Sequence, residues 1–158
     1  MEHLALARID DRLIHGQVMT AWAKVTQAKR IIIVDDKVAS DDFMAEVIKM
    51  AAPNGMRVDV YSQEEAVKVL TGPKLTEETI LLAKVPGTYK FLLDHGVDIK
   101  SINVGGMGMN ANRKTFYKNI AVTDEERAIL KEFVNRGIKV FIQVIPSGKV
   151  IDAKTVLK

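Results

Sequence analysis

Apolar residues along the chain fall into short runs that alternate with segments in which they recur every three or four positions. The runs Leu4–Ile9, Arg30–Val34, Arg57–Tyr61, Thr79–Ala83, Ile99–Val104 and Ile138–Ile145 predict strands. Gly16–Thr26 and Ser40–Ala52 predict helices; Phe43, Val47 and Met50 share one face of the second, and Asp41 and Asp42 suit its positive N-terminal end. Ser62-Gln63-Glu64-Glu65 reads as a capping box opening a helix to about Leu70, and Thr123-Asp124-Glu125-Glu126 as another. Ile129, Leu130, Phe133 and Val134 line that last helix, and Gly137 closes it. Between them, Pro86 and Gly96 bracket a further helix. Pro53-Asn54-Gly55 and Thr71-Gly72-Pro73 break the pattern, and the tail after Ile145 is less regular.

Strands alternating with helices imply parallel pairing and an α/β layered fold. The runs are nearly continuous in apolar character, as strands covered on both faces are. The expectation is a single-domain, open, mainly parallel sheet with helices on both faces, residues 1–158 forming one domain. Ligands of such sheets bind outside the carboxyl ends of the strands, which directs attention to the loops that follow them.

Composition narrows the chemistry. With no cysteine there are no disulfides, thiolate metal sites or cysteine nucleophiles, and the three histidines lie far apart, so no metal site is expected. No nucleotide fingerprint is complete and no cofactor is expected. A net charge of +3 with interspersed acids suits an anionic substrate or an acidic partner rather than nucleic acid. No apolar run approaches the ~20 residues of a membrane span, and Met1-Glu2-His3-Leu4 is no secretory signal, so the expected location is cytoplasmic.

The loop after the first strand is the most unusual stretch. Arg8-Ile9-Asp10-Asp11-Arg12-Leu13-Ile14-His15-Gly16-Gln17-Val18 packs two arginines, two aspartates and a histidine together. Histidine is a nitrogen nucleophile that is largely neutral at cellular pH. Gly16 allows close backbone approach, and the free N–H groups of the following helix, Gln17 among them, form an anion site. Arg8 and Arg12 can make forked contacts to phosphate oxygens, and Asp10 or Asp11 can hold a ring nitrogen of His15. These are the parts of a phosphohistidine site, and equally of a solvated loop rich in ion pairs. His3 and His95 lack such surroundings. Gly105 and Gly106, after a later strand, either border the His15 pocket or mark a turn where the backbone passes close to another group. Asp35, ending the second predicted strand, is a weaker pocket candidate in what reads as a solvated Asp35-Asp36-Lys37 loop, and Trp22 reads as core.

The stretch from Arg8 to Val18, with Trp22 a turn further on, closely resembles the active-site motif of enzyme IIB components of the mannose/fructose/sorbose family of the sugar phosphotransferase system. Asn103-Val104-Gly105-Gly106-Met107 is similar to a second stretch of that family. The resemblance implies that His15 is phosphorylated by a IIA component and passes the group to a sugar carried by the membrane components IIC and IID. It maps the family's loop arginines and acidic residue onto Arg8, Arg12 and Asp10, and implies a IIA on a separate chain, since the first strand starts almost at Met1. Two other readings fit the residues alone: a noncatalytic module binding a phosphorylated metabolite, and a small lyase or isomerase using His15 as acid/base.

Overall fold

In the computed structural model, which describes residues 1–157, nearly every apolar run becomes a strand and every capped segment a helix. The order is β1 (Leu4–Asp10), α1 (Gly16–Thr26), β2 (Arg30–Val34), α2 (Asp36–Ala39), α3 (Asp42–Met50), β3 (Arg57–Tyr61), α4 (Gln63–Thr71), β4 (Thr79–Ala83), α5 (Pro86–Asp94), β5 (Ser101–Gly106), β6 (Lys114–Tyr117), β7 (Ile120–Val122), α6 (Asp124–Asn135), β8 (Lys139–Ile142) and β9 (Ile151–Asp152), then a 3-10 turn at Ala153–Thr155. Both capping boxes form, at Ser62/Glu65 and Thr123/Glu126.

The main sheet runs β3-β2-β4-β1-β5-β8-β9, parallel throughout except for β9, which pairs antiparallel with β8. Alternate residues of each central strand feed two separate cores. Ile32, Val34, Leu81 and Ala83 pack with Ala66 of α4, Tyr89 of α5 and Phe133 of α6. Ile31, Ile33, Ile80 and Leu82 pack with Met19 and Trp22 of α1 and Val38 of α2. The chain therefore leaves β1 toward one face, while the helices that follow β4 and β5 lie on the other. Such a divergence opens a crevice at the carboxyl end of the strands. The ladder there is irregular: Ile9 faces Val104 but Asp10 faces Gly106, so Gly105 is an extra residue on β5.

Four features differ from expectation. The Asp35–Lys37 loop opens the one-turn helix α2, because the Asp35 carboxylate accepts the Val38 N–H at 2.9 Å. On α3, Phe43, Val47 and Met50 do share a face, but it points outward; Phe43 is 80% exposed and Met50 83%. The inner face is carried by Ala45 and Ile48. The strand expected to run to Ile145 ends at Ile142, and its continuation turns back to supply β9. The connection from β5 to α6 holds a separate hairpin, β6–β7, whose strands are too short to show a period.

Candidate functional site

The loop between β1 and α1 is shaped by two buried side chains. The Asp11 N–H donates to Gly106 O (3.0 Å) and the Leu13 N–H to Asp10 O (2.9 Å), turning the chain sharply. Leu13 takes a left-handed conformation, φ +57°, uncommon for a branched residue. Leu13 and Ile14 are then driven into the core around Met19 and Trp22. With those two residues anchored, Arg12 and His15 on either side of them stand exposed.

His15 is the N-cap of α1, its carbonyl accepting the Val18 and Met19 N–H groups. Its ring makes no capping bond and has no hydrogen-bond partner among the described residues. The other two histidines have partners: His3 Nδ1 lies 2.8 Å from Glu78 Oε1, and His95 Nδ1 lies 2.7 Å from Phe91 O. Gly16 follows with φ +42°, a turn that glycine adopts without strain. The Gly16 and Gln17 amides precede the first intrahelical donors, and no acidic side chain lies in the first turn. That end of the helix keeps its full positive character for an anion.

Beneath the loop lies a buried charge cluster. Arg8 is completely buried; its Nη1 donates to Asn103 Oδ1 (2.7 Å) and Gln143 O (3.1 Å), its Nη2 to Asp10 Oδ2 (3.1 Å) and Val144 O (3.0 Å). The guanidinium carbon sits 5.4 Å from the Trp22 ring centroid, and Trp22 Nε1 donates to the same Val144 O. Asp10, 1% exposed, accepts the Arg12 N–H and Nε at Oδ1 (3.0 Å each) and Arg12 Nη2 at Oδ2 (3.1 Å). Burial pushes the Asp10 carboxyl up, but the Arg12 bonds and the Arg8 charge outweigh it and hold it below the usual carboxylate range. The same bond raises Arg12, whereas burial lowers Arg8 against the pull of Asp10.

Each glycine of the pair after β5 makes room for this cluster. A Cβ on Gly105 would lie 2.0 Å from Arg8 Cζ, and one on Gly106 would lie 2.6 Å from Asp10 Oδ1. The backbone here passes close to the Arg8–Asp10 pair, and Gly106 also borders the loop, since its carbonyl accepts the Asp11 N–H and a Cβ on it would lie 3.1 Å from Arg12 Nη2.

Several expected contacts are corrected. Arg8 has no exposed surface to offer a phosphate; it supports the loop from below, since both its Nη atoms are used internally. Neither Asp10 nor Asp11 holds the His15 ring: Asp10 holds Arg12, and Asp11 Oδ2 accepts the Gly108 N–H (2.8 Å) and Arg113 Nη1 (3.2 Å). Asp35 is occupied in capping α2, just after β2, which β4 separates from β1. Arg12 is 42% exposed at its side chain and clamped to Asp10 through Nε and Nη2, with Nη1 making no protein bond among the described residues. Asn103, Gln143 and Arg113 belong to the site's support; Asn103 opens the second stretch that the sequence marks, whereas nothing local marks Gln143 or Arg113. The contacts that tie them to the first loop are long-range: Arg8 lies 95 residues from Asn103 and 135 from Gln143, and Asp11 lies 102 from Arg113. Among the described residues, no cluster of acidic or histidine side chains could hold a metal ion, and no helix is long and apolar enough to cross a membrane.

Fold and site together define a parallel α/β protein whose first βα loop presents, at a helix start, a histidine unpartnered among the described residues, over a buried arginine–carboxylate cluster. The family model described as the sorbose subfamily IIB component of the PTS system matches residues 4–158. The chain is 38% identical over 153 residues to the sorbose-specific EIIB component of Klebsiella pneumoniae, covering 94% of this chain and 93% of that one. It is 34% identical over 159 residues to the fructose-specific EIIB component of Bacillus subtilis, covering 100% and 98%. It is also 35% identical to the mannose-specific EIIAB component of Escherichia coli, covering 94% of this chain and 47% of that longer one. The crystal structure of the IIBSor domain of the K. pneumoniae sorbose permease superposes with a TM-score of 0.88 at 37% identity, over 94% and 92% of the two chains. The chain belongs to the sorbose subfamily of IIB components, the sugar phosphotransferase family of the mannose/sorbose type.

Proposed function

We propose that the chain accepts a phosphoryl group on His15 from a phosphohistidine of a IIA component and passes it to a sugar at membrane components IIC and IID. The observation that carries this reading is the His15 ring, exposed and without a partner among the described residues at the start of α1, where no acidic side chain in the first turn competes for the positive end. In the first transfer an unprotonated His15 nitrogen attacks phosphorus in line; the bond to the donor imidazole breaks as the bond to His15 forms. The negative charge on the transferring oxygens meets the Gly16 and Gln17 amides and the free Nη1 of Arg12. Asp10 keeps Arg12 in place for that contact, and Arg8 keeps Asp10 in place. In the second transfer a sugar hydroxyl attacks phosphorus, and its proton ends in the bulk as the His15 nitrogen is freed. The mannose-specific relative, named for both an A and a B component, supports a IIA donor.

Incubation with phosphoenolpyruvate, the general phosphotransferase proteins and a IIA component is expected to place one acid-labile, base-stable phosphate on the chain. His15→Ala should take up none, while keeping the wild-type fold because the ring buries nothing. Label persisting in that variant would overturn the assignment. Arg12→Ala is expected to slow single-turnover transfer by ~10²-fold, the usual scale for one preorganised contact to a transferring group.

A further inference from the structure

The connection from β5 to α6 is anchored by its own apolar residues, Met107, Ile120 and Val122, all buried, and by the bond from the Ala121 N–H to Met107 O (2.8 Å). Arg113, within this connection, is directed elsewhere. Its side chain is only 7% exposed and every guanidinium nitrogen is used. Nε and Nη2 donate to Oε1 and Oε2 of Glu126 at 2.9 Å each, and Nη1 donates to Gly108 O (2.9 Å) and Asp11 Oδ2 (3.2 Å). Glu126 is itself fixed, because Oε1 also accepts the Thr123 N–H in the capping box of α6. A rigid path thus runs from the start of α6 through Glu126 and Arg113 to Asp11, which is bonded to Arg12 in the chain.

We infer that Arg113 is a positioning residue for phosphoryl transfer, fixing Asp11 and so the placement of the Arg12–His15 loop. It acts in two ways. It sets the geometry of a loop whose turn is already held at one end by Gly106 O. It also pairs with the Asp11 carboxylate, a negative charge next to Arg12 in the chain. A displacement of about 1 Å at a reacting group is enough to cost up to ~10²-fold in rate. The inference rests on the reading of His15 as phosphoacceptor.

The test compares Arg113→Gln, Arg113→Lys, Asp11→Asn and the Gln/Asn double variant in transfer from phosphorylated IIA. Backbone amide shifts of Asp11–Gly16 are recorded on the unphosphorylated proteins. Arg113→Gln is expected to lower kcat about tenfold and leave KM for IIA within about twofold, since so buried a side chain offers the partner little. Arg113→Lys should recover part of the rate, and the double variant should be no slower than the slower single one, because Arg113→Gln weakens and Asp11→Asn discharges the same link. The loop amides should shift in both single variants. A wild-type kcat with unmoved loop amides, a rise in KM alone, or multiplying single effects would each overturn the inference. Should Arg113→Gln fail to fold, Asp11→Asn, on a side chain 31% exposed, answers the same question. A wild-type chain taking no phosphate on His15 would defeat the functional reading instead, and the amide shifts would still decide whether Arg113 sets the loop.

Discussion

Two ionic networks in this molecule have similar bond lengths and opposite surroundings. Arg8, Asp10 and Arg12 join at 3.0–3.1 Å beneath the first loop, with the Arg8 and Asp10 side chains 0% and 1% exposed. Lys90, Asp94, Glu132 and Arg136 join at 2.7–3.2 Å between α5 and α6, with side chains 35–40% exposed. Around the second network water and salt answer each charge, so any member can be lost at little cost. Around the first only protein groups answer, and loss of one partner strands a buried charge. An apolar replacement of the whole buried group could fold as well, but it would leave Arg12 with nothing to hold it at the surface. The difference teaches that the buried network matters for where it places Arg12, and the surface network mainly for joining two helices.

The contrast is sharpest in Asp10→Ala, which leaves Arg8 buried without its counter-charge and is expected to cost about 3–5 kcal/mol in urea unfolding. A loss as small as that of a surface carboxylate would erase the distinction. Next in size is Gly105→Ala. Its methyl group would meet Arg8 Cζ at 2.0 Å, backed by four hydrogen bonds that resist movement, and the overpacking is expected to cost about 1–3 kcal/mol. Unchanged stability would show that the cluster yields freely. Acid should act on the same group. Asp10 has a lower pKa folded than unfolded, so just below the ordinary aspartate range the unfolded chain binds more protons. Its stabilisation is present above that range and is lost as pH falls through the folded value. The stability gap between wild type and Asp10→Asn should therefore narrow as pH drops through this window; a gap constant with pH would place the carboxyl's titration elsewhere. The smallest effect belongs to Glu132→Gln, expected to lower the melting temperature slightly at low ionic strength and not at all at high salt. A salt-resistant loss there would make the two networks alike.

Most of the layered architecture was legible in the chain, because long apolar runs and capping boxes carry periods of their own. β1 to β4 appear within a residue of the expected spans, and both capping boxes form. Where the pattern was short it failed: α2 rests on one capping carboxylate, and β6–β7 on a ladder of a few pairs. The α3 stripe misled for a different reason, since the residues packed inward, Ala45 and Ile48, carry less apolar bulk than Phe43 and Met50 outside. At the candidate site, the motif pointed to His15 and Arg12 but not to who holds whom. Sequence neighbours suggested that the aspartates serve the histidine. The fold turns Asp10 to the arginines and Asp11 to Arg113, a partner 102 residues away that no local spacing announces.

The double loading of the central strands also constrains how such a chain can change in length over generations. In β2, Ile31 and Ile33 serve one core while Ile32 and Val34 serve the other. One residue inserted upstream within the strand would exchange the two sets at once and unsettle both cores together. Insertions and deletions that survive are thereby confined to the connections. The connection from β1 to α1 is closed to them by buried Leu13 and Ile14, whereas the β6–β7 tip, with exposed Lys118 and Asn119, is free to vary. Divergence between descendants of this chain should collect at that tip, leaving the loop that carries Arg12 and His15 fixed in length.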